Sequence, residues 1–353
     1  MARKATIYDI SKSVGVSTCC VSWVLRNHPR SREVGPETRR RILQTADEMG
    51  YVCNQLASAT STGKVNTIAV ILNFNIMQNQ LTANQLMTGI MMETTRRGLS
   101  VKVFSEDDLE NAFRNIVENR IVKVISTSVE AGLRQRTAEL AEKYSLDLVF
   151  CYERGHGRFP AVNTDNVEMT VRAVHYLADH GHTRIALLCV PHRWQYVQDR
   201  HDGYLLGMSQ CGLAVDPRWV SCSDNIDSTV EKMLVMPPDR RPSAFITLAD
   251  PIAAAAQRCA WKHGLRIPED FSVIGIGDTE SAKAAVVPIT TFREIFPDTG
   301  KLLVRLAFGE KPDFHPDEFN VYHTHAELIE RDSVYDIKPR RKSDCYRFYN
   351  CSK

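Results

Sequence analysis

What this chain of 353 residues lacks narrows its reading first. No apolar run approaches the roughly 18 residues that a membrane-spanning helix needs. The opening Met1-Ala2-Arg3-Lys4-Ala5-Thr6 has no apolar stretch behind its charges, so a cytoplasmic beginning is expected rather than a secretory signal. Ten cysteines are present, but none stands in a C-x-x-C pair or in zinc-type Cys/His spacing. Reduced thiols are therefore expected, and a disulfide framework is not. The motifs of catalysis are missing too: no G-x-S-x-G, P-loop or H-E-x-x-H occurs. Gly275-x-Gly277 follows a strand pattern without the third glycine of a dinucleotide fingerprint. His323-x-His325 and His180-x-His182 lack a third ligand, and such pairs are mostly ordinary strand and turn histidines. No catalytic residue, metal site or cofactor is expected.

Charge is nearly balanced overall, at +2, but unevenly spread. Residues 1 to 50 carry nine basic groups (Arg3, Lys4, Lys12, Arg26, Arg30, Arg32, Arg39, Arg40, Arg41) against five acids (Asp9, Glu33, Glu37, Asp47, Glu48). That head is +4 and the rest −2, since +2 − 4 = −2. A basic head on a neutral body suits a polyanion partner, and suits a plain solvated face equally well.

Local signals divide the head into three helices. Thr6-Ile7-Tyr8-Asp9 reads as a capping box, with helix one running to about Ser13. Gly15 permits a tight turn, Ser17 caps a second helix, and Gly35-Pro36-Glu37 opens a third that Gly50 ends. This is a helix-turn-helix arrangement. On the second helix, at 100° per residue, Val21, Val24 and Leu25 share the side that packs inward. Cys19, Ser22, Trp23 and Arg26 then face outward, with Thr18 and Cys20 on the flanks. A tryptophan on an outward face implies a contact surface; it equally suits packing on a neighbouring loop. Cys19-Cys20 as a redox or metal sensor is a weaker reading, because adjacent helical residues diverge by ~100° and no third ligand is near.

The stretch "TIYDISKSVGVSTCCVSWVLRN … GPETRRRILQTADEMGYVCNQLA" resembles the DNA-binding head of the lac repressor and galactose repressor family. The resemblance implies a dimer that reads a double-stranded DNA operator with the second helix in the major groove. It implies DNA contacts from Thr6, Tyr8, Ser17, Thr18, Cys19, Cys20, Ser22, Trp23, Arg26 and Asn27, and from Asn54, Leu56, Ala57 and Thr60 in a hinge. Two positions depart from the family. Trp23 stands where an arginine or histidine usually contacts a base, and Cys20 where a threonine usually meets a phosphate. Indole has one N–H donor and cannot make the bidentate pair to guanine, so contact with a thymine methyl or sugar edge is expected from Trp23. In the hinge, the minor-groove wedge is Thr60 instead of leucine, and Cys53 and Ser58 replace the usual proline and arginine. Leu56 lies one turn earlier and would substitute only in part, packing against the partner hinge being its more natural job, so weak or absent kinking is expected.

From Thr67 on, apolar runs alternate with helical patterns: "TIAVIL" (67 to 72), "SVKVFS" (100 to 105), "VKVIS" (122 to 126), "DLVFCY" (147 to 152), "RIALLC" (184 to 189), "SAFITL" (243 to 248) and "FSVIGI" (271 to 276). These read as buried parallel strands of an α/β body, in two doubly wound lobes with a ligand cleft between them. The resemblance continues in "VNTDN", "LADHGHTRIALL", "RHDGYLLGM", "HGLRIPEDFSVIGIGDTE", "PITTFRE" and "AELIERDSV", so it spans residues 5 to 335. It implies a periplasmic-binding-protein-like body that dimerises and takes a small-molecule effector.

The expected division is a head at 1–50, a hinge at 51–65 and a body at 66–335, followed by a basic mobile tail at 336–353. Within the body, one lobe is placed at 66–164 with 292–322, the other at 165–291 with 323–335. Effector contacts are implied for Asp165, Arg200, Asn225, Asp250, Asp278 and Phe296, with Trp194 and Tyr196 added for stacking or, as an alternative, lobe packing. Several family positions are altered: Gly277 replaces a ligand-binding aspartate, Ala249 an asparagine and Asn225 a stacking aromatic. An ordinary monosaccharide effector is therefore in doubt. The reading is a homodimeric transcription regulator, most simply a repressor, modulated by a sugar or related metabolite. Two rivals are an effector-independent regulator with a vestigial pocket, and a solute-binding or enzymatic body with a relic head. Operator, effector and pathway are not legible.

Overall fold

The computed structural model describes residues 5–26, 28–51, 65–72, 81–191, 194–223 and 225–337. The chain divides into two compact units at the Asn66/Thr67 junction.

The first unit is helical. α1 (Ile7–Val14) begins with the anticipated capping box: Thr6 Oγ1 accepts from Asp9 N–H at 3.4 Å, and Asp9 Oδ2 accepts from Thr6 N–H at 2.8 Å. Gly15 closes it in the left-handed region, at φ 77°. α2 (Thr18–Leu25) is capped by Ser17, whose hydroxyl accepts from Cys20 N–H at 3.2 Å. α3 (Pro36–Glu48) starts on Pro36 after Gly35. A short 3-10 turn, Pro29–Glu33, stands between α2 and α3; sequence patterning gives no sign of it. Ile10, Val14, Val21, Val24, Ile42 and Ala46 form the core, with Leu25 and Cys20 half-buried against it.

The second unit contains two six-stranded sheets. The first is built by β1 (Thr67–Leu72), α4 (Leu81–Arg96), β2 (Ser100–Ser105), α5 (Leu109–Glu118), β3 (Lys123–Ser126), α6 (Ala131–Lys143), β4 (Asp147–Cys151) and β5 (Ala161–Thr164). The chain then crosses into the second sheet through α7 (Asn166–Asp179), β6 (Ile185–Cys189), α8 (Gln195–Gln210), β7 (Val220–Cys222), α9 (Ile226–Leu234), β8 (Ala244–Thr247), α10 (Asp250–Lys262), β9 (Ser272–Ile276), α11 (Glu280–Lys283) and β10 (Thr290–Glu294). It returns with α12 (Phe296–Ala307) and β11 (Val321–Thr324), and ends on β12 (Ala326–Ile329).

Strand order is β11-β5-β4-β3-β1-β2 in one sheet and β12-β10-β9-β8-β6-β7 in the other, every pairing parallel except β10 with β12. Alternation along the strands feeds two cores per sheet, because successive side chains leave opposite faces. In the first sheet Ile68, Val70 and Ile125 meet Leu86, Ile90 and Leu303, while Ala69, Ile71 and Val124 meet Phe113 and Ile116. The second sheet repeats this, with Ile185, Leu187 and Ile246 under Tyr204 and Met208, and Phe245 and Val273 under Ala253 and Ala260.

The crossings fall later than the sequence placed them. β10 stays in the second sheet because Thr290–Phe292 pair with Ile274–Ile276, so the crossing follows Glu294 rather than residue 291. Val321–Thr324 pair with Ala161–Thr164, so His323 and Thr324 belong to the first sheet and not to the second lobe. The thiol expectation also needs correction. Cys189 and Cys222, at the carboxyl ends of neighbouring β6 and β7, are joined as a disulfide with Cα atoms 4.6 Å apart. They are 33 residues apart in sequence, and sheet pairing alone brings them together.

Candidate nucleic-acid interface and ligand cleft

On α2 the buried seam is Val21 and Val24, and the opposite side is open: Ser17 and Cys19 are exposed, with Thr18, Ser22, Trp23 and Arg26 half-buried. Cys20, expected on the flank, is half-buried and packs against the core. The cause is angular, since 100° per residue leaves it beside the Val21/Val24 seam. Tyr8, on α1, is 72% exposed, whereas Thr6 is committed to its cap. Trp23 stacks on His28 with centroids 6.2 Å apart, and the Arg30 guanidinium lies over its ring at 5.5 Å. The segment after α2 therefore covers one indole face and gathers positive charge beside it. Asn27, Asn54, Leu56, Ala57 and Thr60 lie outside the described residues, as do the remainder of the hinge at 52–64 and the tail from 338.

The ligand candidates of the body gather at the carboxyl ends of the strands, where doubly wound sheets hold ligands. Arg200, 5% exposed, is central. It donates to Asn166 Oδ1 at 2.7 Å and to the Leu248 carbonyl at 2.8 Å, and pairs with Glu294 Oε1 at 3.2 Å. Its guanidinium also lies over Tyr196, which stacks flat on Trp194 with centroids 5.9 Å apart. Phe296, 5% exposed, meets Tyr152 edge-on. Arg200, Tyr196 and Trp194 thus form one cluster in the core of the second sheet, and Phe296 with Tyr152 another in the core of the first.

Four other candidates have local structural duties. Asp165 caps α7 by accepting from Glu168 N–H at 2.8 Å, and Asn225 caps α9 by accepting from Ser228 N–H at 3.0 Å. Asp250 is fully buried and takes bonds from the Thr291 hydroxyl and from the Thr279 N–H, both at 2.6 Å. Burial pushes its carboxyl up despite those bonds. Asp278 receives Arg293 and Arg331; burial alone would raise its carboxyl, and these two cations hold it below the ordinary range. A short capping side chain next to an apolar run carries a helix-start signal at least as readily as a ligand signal.

Sequence reasoning missed Glu153. It is 8% exposed, its Oε2 accepts from Gln195 N–H at 3.1 Å, and Oε1 has no partner among the described residues. Both Tyr152 and Glu153 have positive φ, 62° and 51°. Strain of this kind concentrates at ligand sites, but φ leaves no mark in a single sequence. Burial pushes the Glu153 carboxyl up. The unfolded chain ionises it in the ordinary range, so the folded state loses stability as pH rises through the raised value. Glu153→Gln is therefore expected to stabilise the protein at neutral pH, by on the order of 1 kcal/mol. The gain should shrink as pH falls through the ordinary carboxylate range and vanish by about pH 3, where the wild-type residue is protonated in both states. Thermal melts of both proteins across pH measure it, and an unchanged difference at all pH values refutes the assignment.

Comparison with known proteins adds a family. Residues 6–54 match the bacterial regulatory proteins of the lacI family, and residues 174–334 match a periplasmic binding protein-like domain. The HTH-type transcriptional repressor PurR of Vibrio cholerae serotype O1 (strain M66-2) is 24% identical over 342 residues, covering 94% of this chain and 99% of that protein. The HTH-type transcriptional repressor CytR of Escherichia coli (strain K12) is 26% identical over 318 residues, covering 88% and 91%. Among solved structures, the lac repressor dimer bound to operator and the anti-inducer ONPF superposes with a TM-score of 0.73 at 20% identity, covering 94% of this chain and all of that one. The capped head helices, the two parallel-sheet lobes and these near full-length matches coincide: the head matches the bacterial regulatory proteins of the lacI family, the body matches a periplasmic binding protein-like domain, and the chain as a whole is similar to helix-turn-helix transcriptional repressors.

Proposed function

We propose that the protein is a cytoplasmic repressor that binds a pseudo-palindromic operator as a homodimer and responds to a small molecule held between the two lobes. The head supplies operator binding, residues 51–65 the hinge, and the body the effector site and dimer contact. The observation that carries the reading is the two-sided α2, with Val21 and Val24 sealed inward and Ser17, Cys19, Ser22, Trp23 and Arg26 on the other side. The basic groups of the head contact phosphates and give affinity, while the outward residues read bases and give specificity. Trp23, with Arg30 over its ring, would meet a thymine methyl with its apolar indole.

Selection of sites from random duplexes is expected to return a two-fold symmetric sequence. Binding should weaken with salt, by a slope of roughly −0.9 per neutralised phosphate in log units. A guanine-centred contact at the Trp23 position would refute its assigned role, and binding to no duplex at low salt would refute the regulator itself.

Exposed apolar side chains support the homodimer. Met91 and Met92 on α4 are 56% and 54% exposed, and Val103 on the edge strand β2 is 42% exposed. Among the described residues, no helix is long and apolar enough to cross a membrane. The effector contacts fall to Arg200, Tyr196, Trp194 and Phe296, with Glu153 added. Asp165, Asn225, Asp250 and Asp278 contribute through the loops and helix ends they fix. The lac repressor structure holds ONPF and the CelR structure holds cellobiose; with Gly277 and Ala249 in place of polar groups, a plain monosaccharide fits this chain less well. Thermal-shift screening of sugars, sugar acids, nucleobases and aromatic compounds tests the cleft, since ligand at 100 times its Kd adds about 2.7 kcal/mol.

A further inference from the structure

The α9 and α10 helices cover the second sheet side by side and meet in the Val230, Met233, Ala253 and Ala256 core. At the rim of that contact, Glu231 of α9 faces Cys259 of α10 and His263, the residue that closes α10. The carboxylate oxygen, thiol sulfur and imidazole nitrogen lie within 4.8 Å of one another. Cys259 is 6% exposed, while Glu231 and His263 open to solvent.

We propose that Glu231, Cys259 and His263 form a binding site for one borderline divalent cation of the zinc class. Cys259 and His263 are four residues apart, so a helix presents both on one face. Glu231 arrives from the adjacent helix. A set of one sulfur, one nitrogen and one carboxylate oxygen selects zinc-like ions over calcium or magnesium, which prefer oxygen alone. With metal bonds of roughly 2.0–2.3 Å, tetrahedral ligand atoms stand about 3.5 Å apart. The observed spacing closes to that by rotation of the Glu231 and His263 side chains, both free to turn at the surface. Water completes the fourth position.

Electrostatics agree with the geometry. Burial, then the negative charges of Glu231 and Asp227, push the Cys259 thiol up, with only Lys262 opposing. The negative charges of Glu231 and Asp227 attract a cation, while the raised thiol makes its binding increase with pH, since the thiol proton leaves to solvent as the Cys259 sulfur coordinates. Bound metal would staple α9 to α10, whose first turns carry Asn225 and Asp250 of the proposed cleft.

Titration of the full-length, metal-free protein with cobalt(II) tests the site. One equivalent should produce a thiolate-to-cobalt charge-transfer band, and zinc(II) should displace it. Cys259→Ser should abolish the band, and His263→Gln or Glu231→Gln should weaken binding about tenfold or more. Cys19→Ser/Cys20→Ser should leave it intact. The last four substitutions fall on exposed or half-buried positions, so folding, checked by circular dichroism, should persist. A wild-type protein without the band overturns the proposal, as does a band that survives in Cys259→Ser or is unchanged in His263→Gln and Glu231→Gln. Operator binding by the same metal-free protein is measured separately, so failure here leaves the regulator reading standing.

Discussion

Arg200→Ala is expected to destabilise the body by about 3–5 kcal/mol, even with no ligand added. The guanidinium holds Asn166, the Leu248 carbonyl and Glu294 together inside the fold. Truncation strands the Glu294 carboxylate, whose side chain is 11% exposed, without its cation. A buried charge that loses its partner costs far more than the intact pair contributes. Arg200→Lys should recover only part of the loss, because an ammonium cannot span three acceptors in separate directions. Arg200→Met with Glu294→Met should recover most of it, since both charges leave together. Chemical denaturation measures all four proteins; a single Arg200→Ala variant as stable as wild type would refute the structural role. That role is compatible with the ligand contact implied by resemblance: a guanidinium carries five N–H donors, and three are directed at these partners. An altered effector response in this variant must therefore be corrected for lost stability before it is read as lost contact.

A comparable loss, of about 3 kcal/mol or more, is expected from Gly89→Val or Gly300→Val. These glycines lie where α4 and α12 cross. A Cβ at Gly89 would stand 2.0 Å from the Pro297 carbonyl oxygen, and one at Gly300 would stand 2.4 Å from that of Leu86. Both obstacles are backbone, so no side-chain rotation relieves them and the helices must part. Parting them opens the core in which Leu86 and Ile90 meet Leu303. It also shifts Met91 and Met92, so dimer formation should weaken along with the urea midpoint. Gly98→Ala is the informative contrast: no atom lies within 4 Å of its added Cβ, and only its left-handed φ of 65° is strained. Wild-type stability in Gly89→Val would mean that α4 and α12 do not cross closely in solution.

Local signals in the sequence determined much of this protein. The Thr6/Asp9 capping box, Gly15, Ser17 and the Val21/Val24 seam specify the head helices because each acts over four residues or fewer, within reach of simple periodicity. The seven apolar runs marked strands for the same reason. Shorter strands with polar residues, such as Thr290–Glu294 and Val321–Thr324, are defined by their neighbours in the sheet, which is why the lobe crossings fell a few residues late.

The sites divide along the same line. Patterning predicted which side of α2 faces out, but not that His28 and Arg30 would cover the Trp23 ring. It marked Arg200 by resemblance, yet gave no hint of Glu294 as its counter-ion or of Glu153 with a carboxylate oxygen unpaired among the described residues. Cys189 with Cys222, and Glu231 with Cys259 and His263, are likewise distant or helix-spaced in the chain and adjacent only in the fold. Capping and periodicity act between residues a few positions apart, so the sequence by itself determined the elements, and its resemblance to a known family pointed to the regulator class. Ion pairs, thiol pairs and clefts depend on how strands line up in a sheet and how helices cross above it, and only the tertiary structure decided those.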